Sequence, residues 1–175
     1  MALQYNPRPK EDGLPRPGKN STQVPMMSLG SLPTSPTKEY STLWTQSMAD
    51  CTTVATFNIH DGSRDMLHIM GGLTDDAYFI RTARHVQPGT VIILVPGSFW
   101  SKNGLGDWSV NYRRSFMAAW AAEGKPAAQA PEFRTFFGDR DLRVDSFVLR
   151  PDGEYGLINP ALPVRDDKDE KCSIS

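Results

Sequence analysis

Cysteine is scarce in this 175-residue chain, with two residues, and histidine nearly so, with three. That excludes a disulfide scaffold, which needs a denser, even set of cysteines and an oxidising compartment. It also leaves no recognisable zinc ligand set, and no other pattern asks for a cofactor. A formal net charge of −1 provides no basic surface, so nucleic acid is not an expected partner. No apolar run approaches the roughly 20 residues of a membrane span. The opening Met1-Ala2-Leu3-Gln4-Tyr5 lacks the basic and apolar regions of a secretory signal, and the expected location is the cytoplasm. Repeats at solenoid spacing are absent.

What is present divides into three stretches. Residues 1–39 hold seven of the 14 prolines and three of the 14 glycines, with no regular apolar period. Such composition buries too little apolar surface to offset the ordering of its backbone, so a disordered leader is expected. Residues 40–164 carry the folded domain, and residues 165–175 an acidic tail, Asp166-Asp167-Lys168-Asp169-Glu170.

Within the domain, residues 52–59 are β-branched and end at the turn cluster His60-Asp61-Gly62-Ser63, with residues 65–70 as the partner strand of a hairpin. A helix follows, capped by Thr74, with Asp75 and Asp76 in its first turn and Gln87-Pro88-Gly89 at its end. Val91-Ile92-Ile93-Leu94-Val95 has the continuous apolar character of a strand buried on both faces. A second helix is expected with Ser109 as cap, Phe116, Met117 and Trp120 on one face, and Gly124 closing it. Residues 133–137, 144–149 and 154–158 complete about six strands, the last two joined at Pro151-Asp152-Gly153. The expectation is a layered α/β sandwich: a mixed, mainly antiparallel sheet with two main helices.

Three residues stand at spacings that chemistry can use: Thr45, Cys51 and His68. Cys51 leads into the first hairpin strand and His68 lies on the second. Their separation of seventeen residues is odd, which allows them to face each other across the hairpin; a shift by two keeps them on one face. A histidine beside a cysteine raises its thiolate fraction and can protonate a leaving group. A threonine hydroxyl can hold the other ring nitrogen, as the third member of a nucleophile–base system.

The same three positions carry a resemblance to the chemoreceptor glutamine deamidases of the CheD family. These have a threonine six residues before a nucleophilic cysteine and a histidine about seventeen after it. Residues 91–97 and 116–124, and the hairpin over 144–158, resemble later elements of that family. Cys51-Thr52-Thr53 is similar to the motif of toxin deamidases of the cytotoxic necrotizing factor type. The resemblance implies a thiol-dependent protein-glutamine deamidase with Cys51 as nucleophile, His68 as general acid/base and Thr45 as orienter. Its substrate would be a protein bearing an exposed glutamine. Two elements differ: Ala49-Asp50 stand where the CheD family has Gly-Ser, and Val95-Pro96-Gly97 replaces its Phe-Gly-Gly. A carboxylate beside the nucleophile opposes thiolate formation unless it points away.

Other functions fit the same residues. The site suits transglutamination or peptide cleavage as well as deamidation, and a non-catalytic protein-binding module on the same fold is the alternative outside enzymes. The C-terminal Cys172-Ser173-Ile174-Ser175 fits the C-a-a-X pattern, and membrane association is expected only if Cys172 is prenylated. One lipid beside an acidic tail anchors weakly.

Overall fold

Side chains along residues 52–58 alternate between two apolar environments, and that alternation sets the layers of the molecule. Ala55 and Phe57 join one buried cluster with Leu43, Ile93, Phe147 and Leu149. Val54 joins another with Leu67, Ile92, Tyr78, Phe116 and Trp120.

The computed structural model describes residues 5–26, 42–70, 75–99, 107–139 and 146–166. Over these the chain forms β1 (Arg8–Pro9), β2 (Thr22–Gln23), β3 (Leu43–Gln46), β4 (Thr52–Asn58), β5 (Arg64–Ile69), α1 (Asp76–His85) and β6 (Thr90–Pro96). It continues through α2 (Asp107–Ala122), β7 (Glu132–Thr135), β8 (Ser146–Leu149) and β9 (Glu154–Leu157). The strands make a five-stranded sheet in the order β1-β9-β8-β3-β2 and a four-stranded sheet in the order β5-β4-β6-β7. The fold is thus α/β and layered: helices cover one face of the four-stranded sheet, and the five-stranded sheet covers the other. The six strands expected from the sequence correspond to β4 through β9. They are divided between two mixed sheets, and β1, β2 and β3 bring the described strands to nine.

Local signals account for most element ends. Asp75 caps α1, its side chain accepting from the Tyr78 N–H at 2.9 Å. Thr74, the expected cap, lies outside the described residues. Ser109, the expected cap, falls inside α2, which begins two residues earlier at Asp107. Gly124, at φ 74°, closes α2 in the left-handed conformation. No helix among the described residues is long and apolar enough to cross a membrane.

The leader departs most from expectation. Its residues 5–26 lie along both edges of the five-stranded sheet. β1 pairs in parallel with β9 (Arg8 opposite Glu154), and β2 pairs in parallel with β3 (Thr22 opposite Leu43). Leu14 bonds Leu157 and Asn159 through its backbone, and its side chain is buried with Trp44, Val148 and Ile158. Trp44 donates its indole N–H to the Ser21 hydroxyl at 3.0 Å, and the Arg16 guanidinium sits 5.6 Å from its ring centre. The prolines are compatible because these are edge strands, where one side of the backbone needs no ladder partner. At the far end, Arg165 donates its backbone N–H to the Arg16 carbonyl at 3.0 Å.

Removing residues 1–26 should therefore destabilise the domain. Leu14 and Val24 are both buried, and each such side chain contributes roughly 1.5–3 kcal/mol. Thermal melting should shift down by about 10 °C or more. An unchanged transition would show that the leader only rests on the domain.

Candidate active site

The β4–β5 hairpin fixes two of the three candidate residues. Asn58 shapes its turn, accepting from the His60 and Asp61 backbone N–H groups with its side-chain oxygen, and Gly62 takes φ 71°. The resulting register sets Thr53, not Cys51, opposite His68, and Thr52 opposite Ile69. This is two residues from the directly opposed pairing. Because side chains alternate, Cys51, Thr53 and His68 still share the face that looks toward the five-stranded sheet. Cys51 and Thr53 are 1% and 0% exposed, and His68 is 0% exposed.

Thr45 arrives from the other sheet. It lies opposite Phe147 on β8, and Phe147 packs in the inter-sheet cluster, so both side chains point inward. Its Oγ1 stands 2.7 Å from His68 Nδ1, and its hydroxyl donates to the Val24 carbonyl at 2.8 Å. His68 Nε2 is buried with no hydrogen-bond partner among the described residues. Burial pulls the His68 pKa below its ordinary value of 6.5, and the charge of Asp50 opposes that pull.

The chain between Thr45 and Cys51 is tightly shaped. Ser47 adopts φ 62°, uncommon for a residue other than glycine. Met48 is buried, accepts the Cys51 N–H on its carbonyl at 2.9 Å, and contacts the Thr53 hydroxyl through its sulfur at 2.9 Å. Gly97, just past β6, donates to the Cys51 carbonyl at 2.8 Å. A Cβ at Gly97 would lie 1.6 Å from the Met48 carbonyl oxygen, so only glycine lets the end of β6 approach this turn. Phe99, half exposed, donates its N–H to the Ala49 carbonyl at 2.8 Å.

Among the described residues, Cys51 Sγ lies near Asp50 Oδ1 at 3.6 Å and the Met26 sulfur at 3.8 Å. Asp50 is thus directed at the thiol and also acts on the histidine. A carboxylate there favours the thiol over the thiolate and favours a protonated imidazole over a neutral one. On the helix side, Tyr112 of α2 bonds the Thr52 side chain, and burial pushes its pKa up to about 12.

The structure joins Thr45 and His68 directly across the two sheets and sets Cys51 on the same sheet face as His68, with no hydrogen bond to His68 Nε2. Sequence reading missed Val24, Met26 and Tyr112. Tyr112 had a signal, since with Phe116 and Trp120 it forms a stripe at four-residue spacing, but such a stripe marks a core face. His60 packs against Gly89 and His85 ends α1, both structural positions. No group of three or more His, Cys, Asp or Glu side chains suited to a metal occurs among the described residues. Trp100, Gly104-Leu105-Gly106 and Cys172 lie outside them.

Gly97→Ala should destabilise the domain by about 3 kcal/mol or more, because backbone is what its Cβ would meet. Reactivity of Cys51 toward an alkylating agent should change with it; a fully native melting curve would contradict the packing described. His68 yields a second expectation. Its folded pKa is lowered, so the native state binds fewer protons than the unfolded chain just below pH 6.5. Its contribution to stability is complete above that pH and declines as pH falls toward the folded value. Denaturant titrations should show this loss in the native chain and a flatter profile in His68→Gln. Equal profiles would mean that the ring titrates normally. No protein-family model, curated protein or solved structure matches the chain, so the resemblance to the glutamine deamidases rests on the spacing of Thr45, Cys51 and His68.

Proposed function

We propose that the chain is a cysteine-dependent protein-glutamine deamidase acting in the cytoplasm. The observation that carries this reading is the 2.7 Å contact of Thr45 Oγ1 with His68 Nδ1 across the two sheets, which leaves Nε2 without a partner on the face that holds Cys51. A histidine held by one nitrogen and open at the other is what a nucleophile–base pair requires.

In this mechanism His68 Nε2 takes the Cys51 proton, and the thiolate attacks the side-chain amide carbon of a protein-bound glutamine. The tetrahedral oxyanion collapses as His68 returns the proton to the departing nitrogen. Ammonia leaves and a cysteinyl thioester remains. Water, deprotonated by His68, then attacks the thioester carbon; glutamate is released and the proton returns to Cys51. No cofactor enters. The low His68 pKa suits the base role, since the ring is neutral near pH 7.

Burial of Cys51 favours a second reading, a protein-binding module in which the thiol is structural. One experiment separates the two. A cell lysate treated with the native chain should gain glutamine-to-glutamate conversions by mass spectrometry, and one treated with Cys51→Ala should not. His68→Ala should reduce conversion by about 10²–10⁴-fold, and the double variant should be little worse than Cys51→Ala. No conversion by the native chain, with a thiol inert to alkylation at neutral pH, would leave the binding module.

A further inference from the structure

A hydroxyl carries a single proton, and Thr45 has two polar neighbours competing for it. The Val24 carbonyl can only accept, and its oxygen lies 2.8 Å from Thr45 Oγ1. Two oxygens that close, buried from water, need a proton between them. The Thr45 proton is therefore committed to Val24, and Oγ1 meets His68 only as an acceptor. At 2.7 Å the hydrogen of that second bond must come from the ring, on Nδ1.

We propose that the Val24 carbonyl sets the tautomer of His68 through Thr45, which makes β2 and the residue after it a positioning element of the site. The neutral ring then carries its proton on Nδ1 and its lone pair on Nε2. Protonation adds a hydrogen at Nε2 while Nδ1 continues to donate to Thr45, so every proton gained or lost passes through Nε2. Without Val24 the hydroxyl is released to donate to Nδ1, the ring hydrogen moves to Nε2, and the ring can no longer accept from a thiol. The carbonyl is held in place by the adjoining backbone, since the Val24 N–H donates to the Trp44 carbonyl at 2.8 Å, one residue before Thr45. A segment with the composition of a leader thus supplies a group that decides which ring nitrogen is basic.

The use of this tautomer rests on the deamidase reading, but the tautomer itself is measurable without activity. The test is a long-range proton–nitrogen NMR spectrum of the full-length chain labelled at histidine, at a pH where His68 is neutral. The native chain should show His68 with hydrogen on Nδ1; hydrogen on Nε2 would overturn the proposal. Thr45→Ser keeps the hydroxyl and should keep the native form. Val24→Ala keeps the carbonyl and the N–H while removing most of the side chain, and should also keep it. Val24→Pro removes the N–H that seats the carbonyl and should give mixed tautomers, with Cys51 alkylation slowed about tenfold relative to Val24→Ala. A folded Val24→Pro chain with the native tautomer would overturn the role given to Val24. Should that variant not fold, the native spectrum still decides. A chain with hydrogen on Nδ1 that converts no glutamine would keep this assignment and overturn the deamidase reading.

Discussion

Two sheets packed face to face exclude water from the space between them, and any polar side chain placed there must find its partner on the opposite sheet or on an edge. Thr45 and the Nδ1 of His68 meet this requirement together, one from each sheet, with the Val24 backbone as the third member. The contact constrains everything around it. Spreading the sheets would strand a buried ring nitrogen, at a cost of about 1–3 kcal/mol, while the Thr45 hydroxyl would keep its bond to Val24 within its own sheet. Sliding one strand by a residue would send His68 to the helix face. The apolar residues on either side, among them Leu43, Ala55, Phe147 and Leu149, hold the sheets at the spacing that this short hydrogen bond needs.

Cys51 depends on a different kind of constraint, a turn with little room to vary. Ser47 in a left-handed conformation, Met48 buried beneath, and Gly97 pressed against the Met48 carbonyl bring Cys51 to the start of β4 in one orientation. Two described groups near its sulfur are of opposite character. Asp50 opposes charge on the thiol and supports charge on the imidazole, whereas the Met26 thioether covers the thiol without engaging its charge. Asp50 is itself exposed, yet its Oδ1 stands 3.6 Å from the sulfur.

Much of this was legible in the sequence. β4, β5, β6 and the β8–β9 hairpin carry local signals: β-branched runs, turn clusters, and glycine or proline at strand ends. So do both helices. The common face of Cys51 and His68 was legible through parity, which survives the two-residue shift in register, whereas the arrival of Thr45 from the other sheet was not. The order of residues 5–26 was not legible, because its cause lies elsewhere in the chain. A two-residue strand such as β1 or β2 has no period, and what fixes it is hydrogen bonding to backbone more than a hundred residues away for β1, or across an intervening segment for β2. Leu14 is a lone apolar residue beside Pro15, and nothing near it in sequence shows that a sheet edge and an indole ring await it. Division of the strands into two sheets was hidden for the same reason: pairing partners are not written in propensity.

Arg8 lies opposite Glu154 in the sheet, so β1 finds its neighbour only after more than a hundred further residues have been made. The β4–β5 hairpin and β6 can form while synthesis continues, since their contacts are close in sequence. Thr45, by contrast, sits on a strand whose ladder is completed by β8. During translation the cysteine and histidine can therefore be in place before the threonine sheet closes over them. The growing polypeptide carries an unfinished centre until β8 emerges.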